Sequence, residues 1–151
     1  MRYQFKPVGV VINEIKQPGR LNFDDTVSSL VLEPKYMRAL DGIKEFSHII
    51  VIFWLHKINK TERLVLKTHP RRDLSLPLTG IFATRSPARP NPIGISTVKL
   101  SAVNANVLTV IGLDAINGTP VLDIKPYMPE SFSPTDVKLP SWSSATKRNR
   151  T

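Results

Sequence analysis

Apolar residues along this chain fall in short runs, not at helical spacing. Val8 to Ile12 is β-branched and lies between Pro7 and Asn13, and Ser28 to Leu32 forms a second run. His48 to Leu55 is almost wholly apolar, which predicts a central strand buried on both faces. Arg63 to Lys67 alternates charged and apolar positions, and Thr79 to Thr84 is a short run. Val98, Leu100 and Ala102 alternate with Thr97, Lys99 and Ser101, the period of two that a pleated strand imposes. Asn104-Ala105-Asn106 turns the chain into Val107 to Leu113, a hairpin pattern. Asn117-Gly118 turns it again into Thr119 to Ile124. One helix is expected: Pro34 suits its first turn, Tyr36, Met37 and Leu40 share a face, and Gly42 ends it. Short strands with turns at near-regular spacing predict an all-β fold, a single-sheet closed or nearly closed β-barrel with one short helix. A sandwich is the competing architecture.

Composition narrows this further. The 151 residues suit one domain, read as a barrel over residues 5–130 and a basic, loosely ordered tail over 131–151. The 13 prolines are spread through the chain and argue against long helices. With no cysteine, disulfides, thiolate catalysis and zinc-thiolate sites are excluded. His48, His56 and His69 are widely spaced, so no metal site is expected. The N-terminal stretch lacks the pattern of a signal peptide, and the run from Ile49 to Leu55 falls far short of the about 20 residues that span a bilayer. A cytoplasmic protein without a membrane segment is therefore expected.

The net charge of +9 is unevenly placed. Lys57, Lys60, Arg63, Lys67, Arg71, Arg72, Arg85 and Arg89 crowd one region against Glu62 and Asp73, and Lys147, Arg148 and Arg150 close the chain. Clustered cations suit a polyanion, because neutralising phosphates releases counterions. A solvated basic surface accounts for the same charge.

Two segments carry candidate chemistry. Gly80-Ile81-Phe82-Ala83-Thr84-Arg85-Ser86-Pro87-Ala88-Arg89-Pro90-Asn91-Pro92-Ile93-Gly94 runs from a strand into a proline-stiffened loop. Proline fixes φ and lowers the entropy cost of a rigid loop, which can then present backbone groups to a ligand in a preset geometry. Arg85 and Arg89 on it could each hold a carboxylate or phosphate by paired hydrogen bonds; a stiff surface turn with solvated arginines is the plain alternative. Asn117-Gly118-Thr119-Pro120-Val121-Leu122-Asp123-Ile124-Lys125-Pro126-Tyr127 leads from a turn into a strand. Asp123, Lys125 and Tyr127 would point to one side of it. A structural Asp–Lys pair with a packing tyrosine is the simpler account of that spacing.

Together the two segments resemble the signature of the TsaA-like (TrmO-type) family, G-x-F-A-T-R-S-x-x-R-P-N-P-I-G followed after a hairpin by D-G-T-P-V-x-D-I-K-P-Y. The first matches throughout. The second differs at Asn117, where the family usually has Asp. The similarity extends to Pro7-Val8-Gly9, Gln17-Pro18-Gly19 and Phe46-Ser47-His48, covering roughly residues 5 to 130. It implies a single-sheet barrel that binds S-adenosylmethionine, commonly as a homodimer with the partner close to the site. The implied activity is methylation of the exocyclic nitrogen of threonylcarbamoyladenosine, just after the anticodon of certain tRNAs.

Carried over by position, the cofactor contacts implied by the resemblance are Ile15, Lys16 and Gln17; His56 and Lys57; Arg85; Ile95; and Asn117, Gly118, Thr119 and Pro120. Lys16 stands where the family often has Arg, and Lys57 where it often has Gln. Asn117 removes a carboxylate that could hold a ribose hydroxyl or the cofactor amine. The C-terminal region is shorter than in many relatives.

Methyl transfer from a sulfonium is an in-line displacement whose main demand is positioning. A base would help a urea-like nitrogen attack, and Asp123, oriented by Tyr127, is the candidate. Arg89 or Lys125 is the candidate for the substrate's threonyl carboxylate, and Lys67, Arg71 and Arg72 for tRNA phosphates. Two rivals stand beside this reading. One is a non-enzymatic RNA-binding barrel, and the other a family member that methylates a different substrate.

Overall fold

The computed structural model describes residues 3–19, 22–132 and 134–144. The first apolar run forms β1 (Gly9–Ile12), which pairs antiparallel with β2 (Val27–Leu32). The apolar run after His48 forms β3 (His48–Trp54). A pair of two-residue strands, β4 (Lys67–Thr68) and β5 (Thr79–Gly80), makes a separate small sheet. Then come β6 (Ile93–Asn104), β7 (Val107–Ile111) and β8 (Pro120–Pro126), followed by the short helices α1 (Pro129–Phe132) and α2 (Ser141–Ser144). Six strands close into a barrel in the order β1-β2-β7-β6-β3-β8. A closed barrel, not a sandwich, is the architecture, and closure leaves the sheet no free edge.

Alternation fills the barrel. Val11, Leu30, Ile49, Val51, Phe53, Val98, Leu108, Val110 and Val121 pack inside it as one cluster. Burying each such side chain is worth about 1.5–3 kcal/mol. On β3 the outward Ile50 is buried too, whereas outward Ile52 and Trp54 are half-buried. Gly94 faces Phe53 across the β3–β6 ladder, and a Cβ there would overlap the phenyl ring. This glycine of the signature serves packing: the ring occupies the place of its missing side chain.

Several expectations need correction. Arg63 to Lys67 is not a strand. Glu62–Leu64 forms a 3₁₀ turn and Lys67 alone of that stretch joins β4, since no strand among the described residues lies alongside to bury Leu64 and Leu66, which are 77% and 72% exposed. Thr79 to Thr84 keeps its strand only at Thr79–Gly80, and Ile81–Ala83 coils into a 3₁₀ turn. The strand expected from Thr97 starts earlier, at Ile93. A bulge between Leu100 and Ala102 shifts its phase, so Ala102 is exposed and Val103 packs on the core instead. The expected helix is a 3₁₀ helix, Pro34–Leu40, with Pro34 in its first turn. Leu40 reaches the core at its end, whereas Met37 stays exposed. Gly42 does end it, at φ 83. Lys147, Arg148 and Arg150 lie outside the described residues.

Candidate functional site

Barrel topology sorts the connections between the two ends. At one end β1, β3 and β7 finish while β2, β6 and β8 begin, as the pairs Ile12 with Ser29, Val27 with Ile111, Trp54 with Ile93 and Phe53 with Val121 require. That end collects the turn after Ile12, the loop after Trp54, the proline-rich loop before Ile93 and the connection from Ile111 to Pro120. Every residue expected to contact the cofactor lies on these segments or on the adjoining ends of β6 and β8. Positions about a hundred apart in sequence thus share one mouth.

Asn13 builds much of this mouth. Its Nδ2 donates to Ala115 O at 2.8 Å and to Ser28 Oγ at 3.0 Å; its Oδ1 accepts from the Ile15 N–H, and its own N–H donates to Asn117 Oδ1, both at 3.1 Å. The backbone closes the same junction: Asn117 N–H donates to Ile15 O at 2.7 Å and Gly118 N–H to Val11 O at 2.8 Å. Gly118 sits at φ 79 with open space where a Cβ would stand, so the left-handed turn, not crowding, demands glycine. Lys16 and Gln17 are exposed beside the junction, and Pro120 is half-buried. Thr119 is 2% exposed, its N–H donating to Ile116 O and its carbonyl accepting from Val11, so it is fastened inside the wall.

On the other side, His56 and Lys57 follow β3. The Nδ1 of His56 is buried without a hydrogen-bond partner, and burial, seconded by the Lys57 charge, lowers its pKa below the usual 6.5. Behind it the Arg63 guanidinium lies 5.0 Å from the Trp54 ring centre, and Nη2 donates to Ile58 O. In the proline-rich loop, Thr84 bonds back to Ile81 O and Arg89 Nη1 reaches the carbonyls of Thr84 and Ser86 at 3.4 and 3.3 Å. Arg89 therefore braces its own loop. Arg85 Nη2 donates to Ile95 O at 3.1 Å, and both side chains are exposed at the mouth.

The catalytic and substrate candidates scatter more widely. Asp123 pairs with Ile52, which pairs with Ile95, so the three form one row across β8, β3 and β6. Lys125 Nζ sits 2.8 Å from the Asp123 carboxylate, an ion pair about half exposed. Tyr127 donates its N–H to His48 O at the opposite barrel end, so the structure does not gather it with the mouth. Lys67, Arg71 and Arg72 lie on the small sheet and its tip. Both arginines adopt φ 58, an uncommon conformation that costs a non-glycine residue on the order of 1 kcal/mol or more.

Sequence reasoning missed two mouth residues. Asn13 had a usable signal, since an Asx residue after a strand turns the backbone by bonding to it. Asp114 had none. It lies between buried Leu113 and buried Ala115, whose N–H donates to Leu113 O at 2.9 Å. Asp114 itself is exposed as a residue, yet enough atoms crowd its carboxyl for burial to raise its pKa, against the opposing pull of Arg85.

The fold and mouth thus define a class: a small antiparallel barrel with one end built from loops and the adjoining strand ends. Residues 14–132 match the model of the tRNA-methyltransferase O N-terminal domain, and the chain belongs to that family. A probable S-adenosyl-L-methionine-binding protein of Methanocaldococcus jannaschii is 45% identical over 124 residues, 82% of this chain and 90% of the relative. The tRNA (adenine(37)-N6)-methyltransferase of Homo sapiens is 45% identical over 102 residues, 68% of this chain but 23% of the human protein. A crystal structure of TrmO from P. aeruginosa superposes with a TM-score of 0.74 at 29% identity, covering 94% of this chain and 62% of that one.

Proposed function

We propose that this barrel binds S-adenosylmethionine at its loop-built mouth and methylates the exocyclic nitrogen of an adenine in tRNA, with threonylcarbamoyladenosine as the substrate base. The observation that carries the reading is the convergence of Ile15–Gln17, His56–Lys57, Arg85, Ile95 and Asn117–Pro120 on one barrel end. The residues fit the cofactor: His56 keeps a buried nitrogen unpaired, and Arg85 and Asp114 offer both signs of charge to a ligand that carries both. Bound there, the cofactor supplies a methyl group on a sulfonium.

An acceptor nitrogen that took the methyl group would have a proton to lose. The protein's part is to hold the acceptor in line, which can contribute several kcal/mol, and to take that proton. Asp123 is the candidate acceptor because it shares its row with Ile95. Tyr127, two residues beyond Lys125, is the candidate to orient it. Lys125 and Arg89 are the candidates for the threonyl carboxylate, Arg89 after release from its loop carbonyls.

Charge supports the nucleic-acid partner, with Lys67, Arg71 and Arg72 offered to phosphates on the small sheet. Leu64, Leu66, Leu74, Leu78 and Phe82 are 58–81% exposed on the same excursion. Apolar side chains left exposed on one excursion suit an interface, and a homodimer in the cytoplasm is the assembly we propose. Mass spectrometry of tRNA incubated with the protein and S-adenosylmethionine is the deciding test. One added methyl group on the modified adenine is expected. Binding of tRNA with neither methylation nor cofactor affinity would leave only an RNA-binding barrel.

A further inference from the structure

The mouth is rich in cations, with Lys16, Lys57 and Arg85 all exposed there. A ligand bearing an ammonium group needs an oxygen acceptor among them. Two acceptors that the sequence offers are engaged: the Oδ1 of Asn117 accepts from Asn13, and the Asp123 carboxylate holds Lys125. Asp114 is the mouth carboxylate that lies within electrostatic range of Arg85.

Its placement follows from strand stagger. β7 ends at Ile111 opposite Lys99, so the first half of β6, with Ile95, overhangs the end of β7. The chain leaving Ile111 turns at Leu113–Ala115 with both residues anchored in the core, and Asp114 is thrown outward between them. Arg85 is fixed to β6 by its bond to Ile95 O and is close enough to act electrostatically on Asp114. Lys125 and Asp123 close an ion pair, whereas Arg85 acts on Asp114 through its charge without closing one.

Two opposite charges held near each other, each exposed and neither quenched by the other, complement a zwitterion. We propose that Arg85 and Asp114 form the receptor for the amino-acid end of S-adenosylmethionine, the guanidinium taking the α-carboxylate and Asp114 the α-ammonium. This rests on the reading that the mouth binds the cofactor. It assigns to Asp114 the charge-assisted contact that Asn117 cannot supply. The raised pKa of Asp114 is consistent: its carboxylate has lost water and gained too little positive charge in return, which an ammonium would provide.

Isothermal titration tests this on wild-type protein, Asp114→Asn and Asp114→Glu. The probes are S-adenosylmethionine, S-adenosylhomocysteine, the des-amino analogue of S-adenosylhomocysteine, and 5′-methylthioadenosine, which lacks the amino-acid arm. Asp114→Asn should weaken S-adenosylhomocysteine roughly tenfold to a hundredfold, the range of a lost hydrogen bond to a charged group. It should leave methylthioadenosine unchanged, and Asp114→Glu should recover part of the loss. The des-amino analogue should bind wild type weakly and lose nothing more in Asp114→Asn, a comparison on the ligand side that holds even if a variant folds poorly. Equal losses for S-adenosylhomocysteine and methylthioadenosine, or no loss for either, would overturn the assignment while the cofactor reading stands. Failure of wild-type protein to bind S-adenosylmethionine would remove both.

Discussion

The two ends of the barrel are made by the same strands and do opposite things. At the far end the β6–β7 hairpin is short and its turn is fastened to the neighbouring strand. The β6–β7 hairpin turns at Ala105-Asn106, the Asn106 side chain donates to Leu32 O, Leu32 N–H donates back to Asn106 O, and Leu100 N–H to Ser47 O. Gly9 there leaves no room for a side chain, since a Cβ would stand 2.5 Å from Val31 O. At the mouth a buried nitrogen goes unpaired, and opposite charges stay apart. The far end resembles a seam and the mouth a receptor. The contrast teaches that hydrogen-bond completeness, not strand geometry, separates scaffold from site.

The comparison can be broken at several points. Phe53 fills the core beneath the mouth, so Phe53→Ala should cost about 3–5 kcal/mol of stability in denaturant unfolding. A loss below about 1 kcal/mol would mean that the barrel is not held from its interior. A paired test comes next. Asn13→Ala at the mouth and Asn106→Ala at the seam each remove side-chain bonds to the backbone, worth about 1–3 kcal/mol. Only Asn13→Ala should also weaken S-adenosylmethionine binding, by roughly tenfold or more in titration. Equal effects on affinity would erase the distinction between the ends.

Replacing Lys67, Arg71 and Arg72 with alanine should flatten the salt dependence of tRNA binding. The log–log slope should shrink by about 0.7–0.9 for each phosphate that is no longer neutralised; an unchanged slope would return the small sheet to ordinary surface. The smallest effect concerns His56. Its folded pKa lies below the unfolded value of 6.5, so the unfolded chain takes up the proton first. The stability it leaves intact above pH 6.5 should fall as pH drops toward the folded pKa, and His56→Gln should remove that part of the decline. An identical pH profile for wild type and variant would contradict the burial of its ring.

Much of the barrel was legible along the chain. The apolar runs at Val8, Ser28, His48 and Val107 became β1, β2, β3 and β7 because a closed sheet buries every second residue, and that period is written locally. The run at Arg63 misled because alternation reports only that one face could be buried, whereas burial needs a neighbouring strand that Leu64 and Leu66 lack among the described residues. Ala102 misled because a bulge changes the phase of a strand without changing its composition. At the site, the proline-rich loop and the Asn117-Gly118 turn were visible as segments. Arg89, however, turned inward to brace its own loop, and Lys125 closed on Asp123. Side-chain partners of that kind depend on where a flexible chain finds its nearest carbonyl or carboxylate, which spacing alone leaves open.

What the sequence by itself determined is the set of strands, the rigid loop and the family to which they belong. Each of these rests on interactions between residues a few positions apart, or on a motif long enough to stand alone. Only the tertiary structure decided that Asn13 locks two distant turns, that Gly94 yields its space to Phe53, and that Asp114 comes within reach of the Arg85 charge. The reason is physical: these contacts join segments tens of residues apart, and their partners are set by strand order and register, which emerge only when the barrel closes.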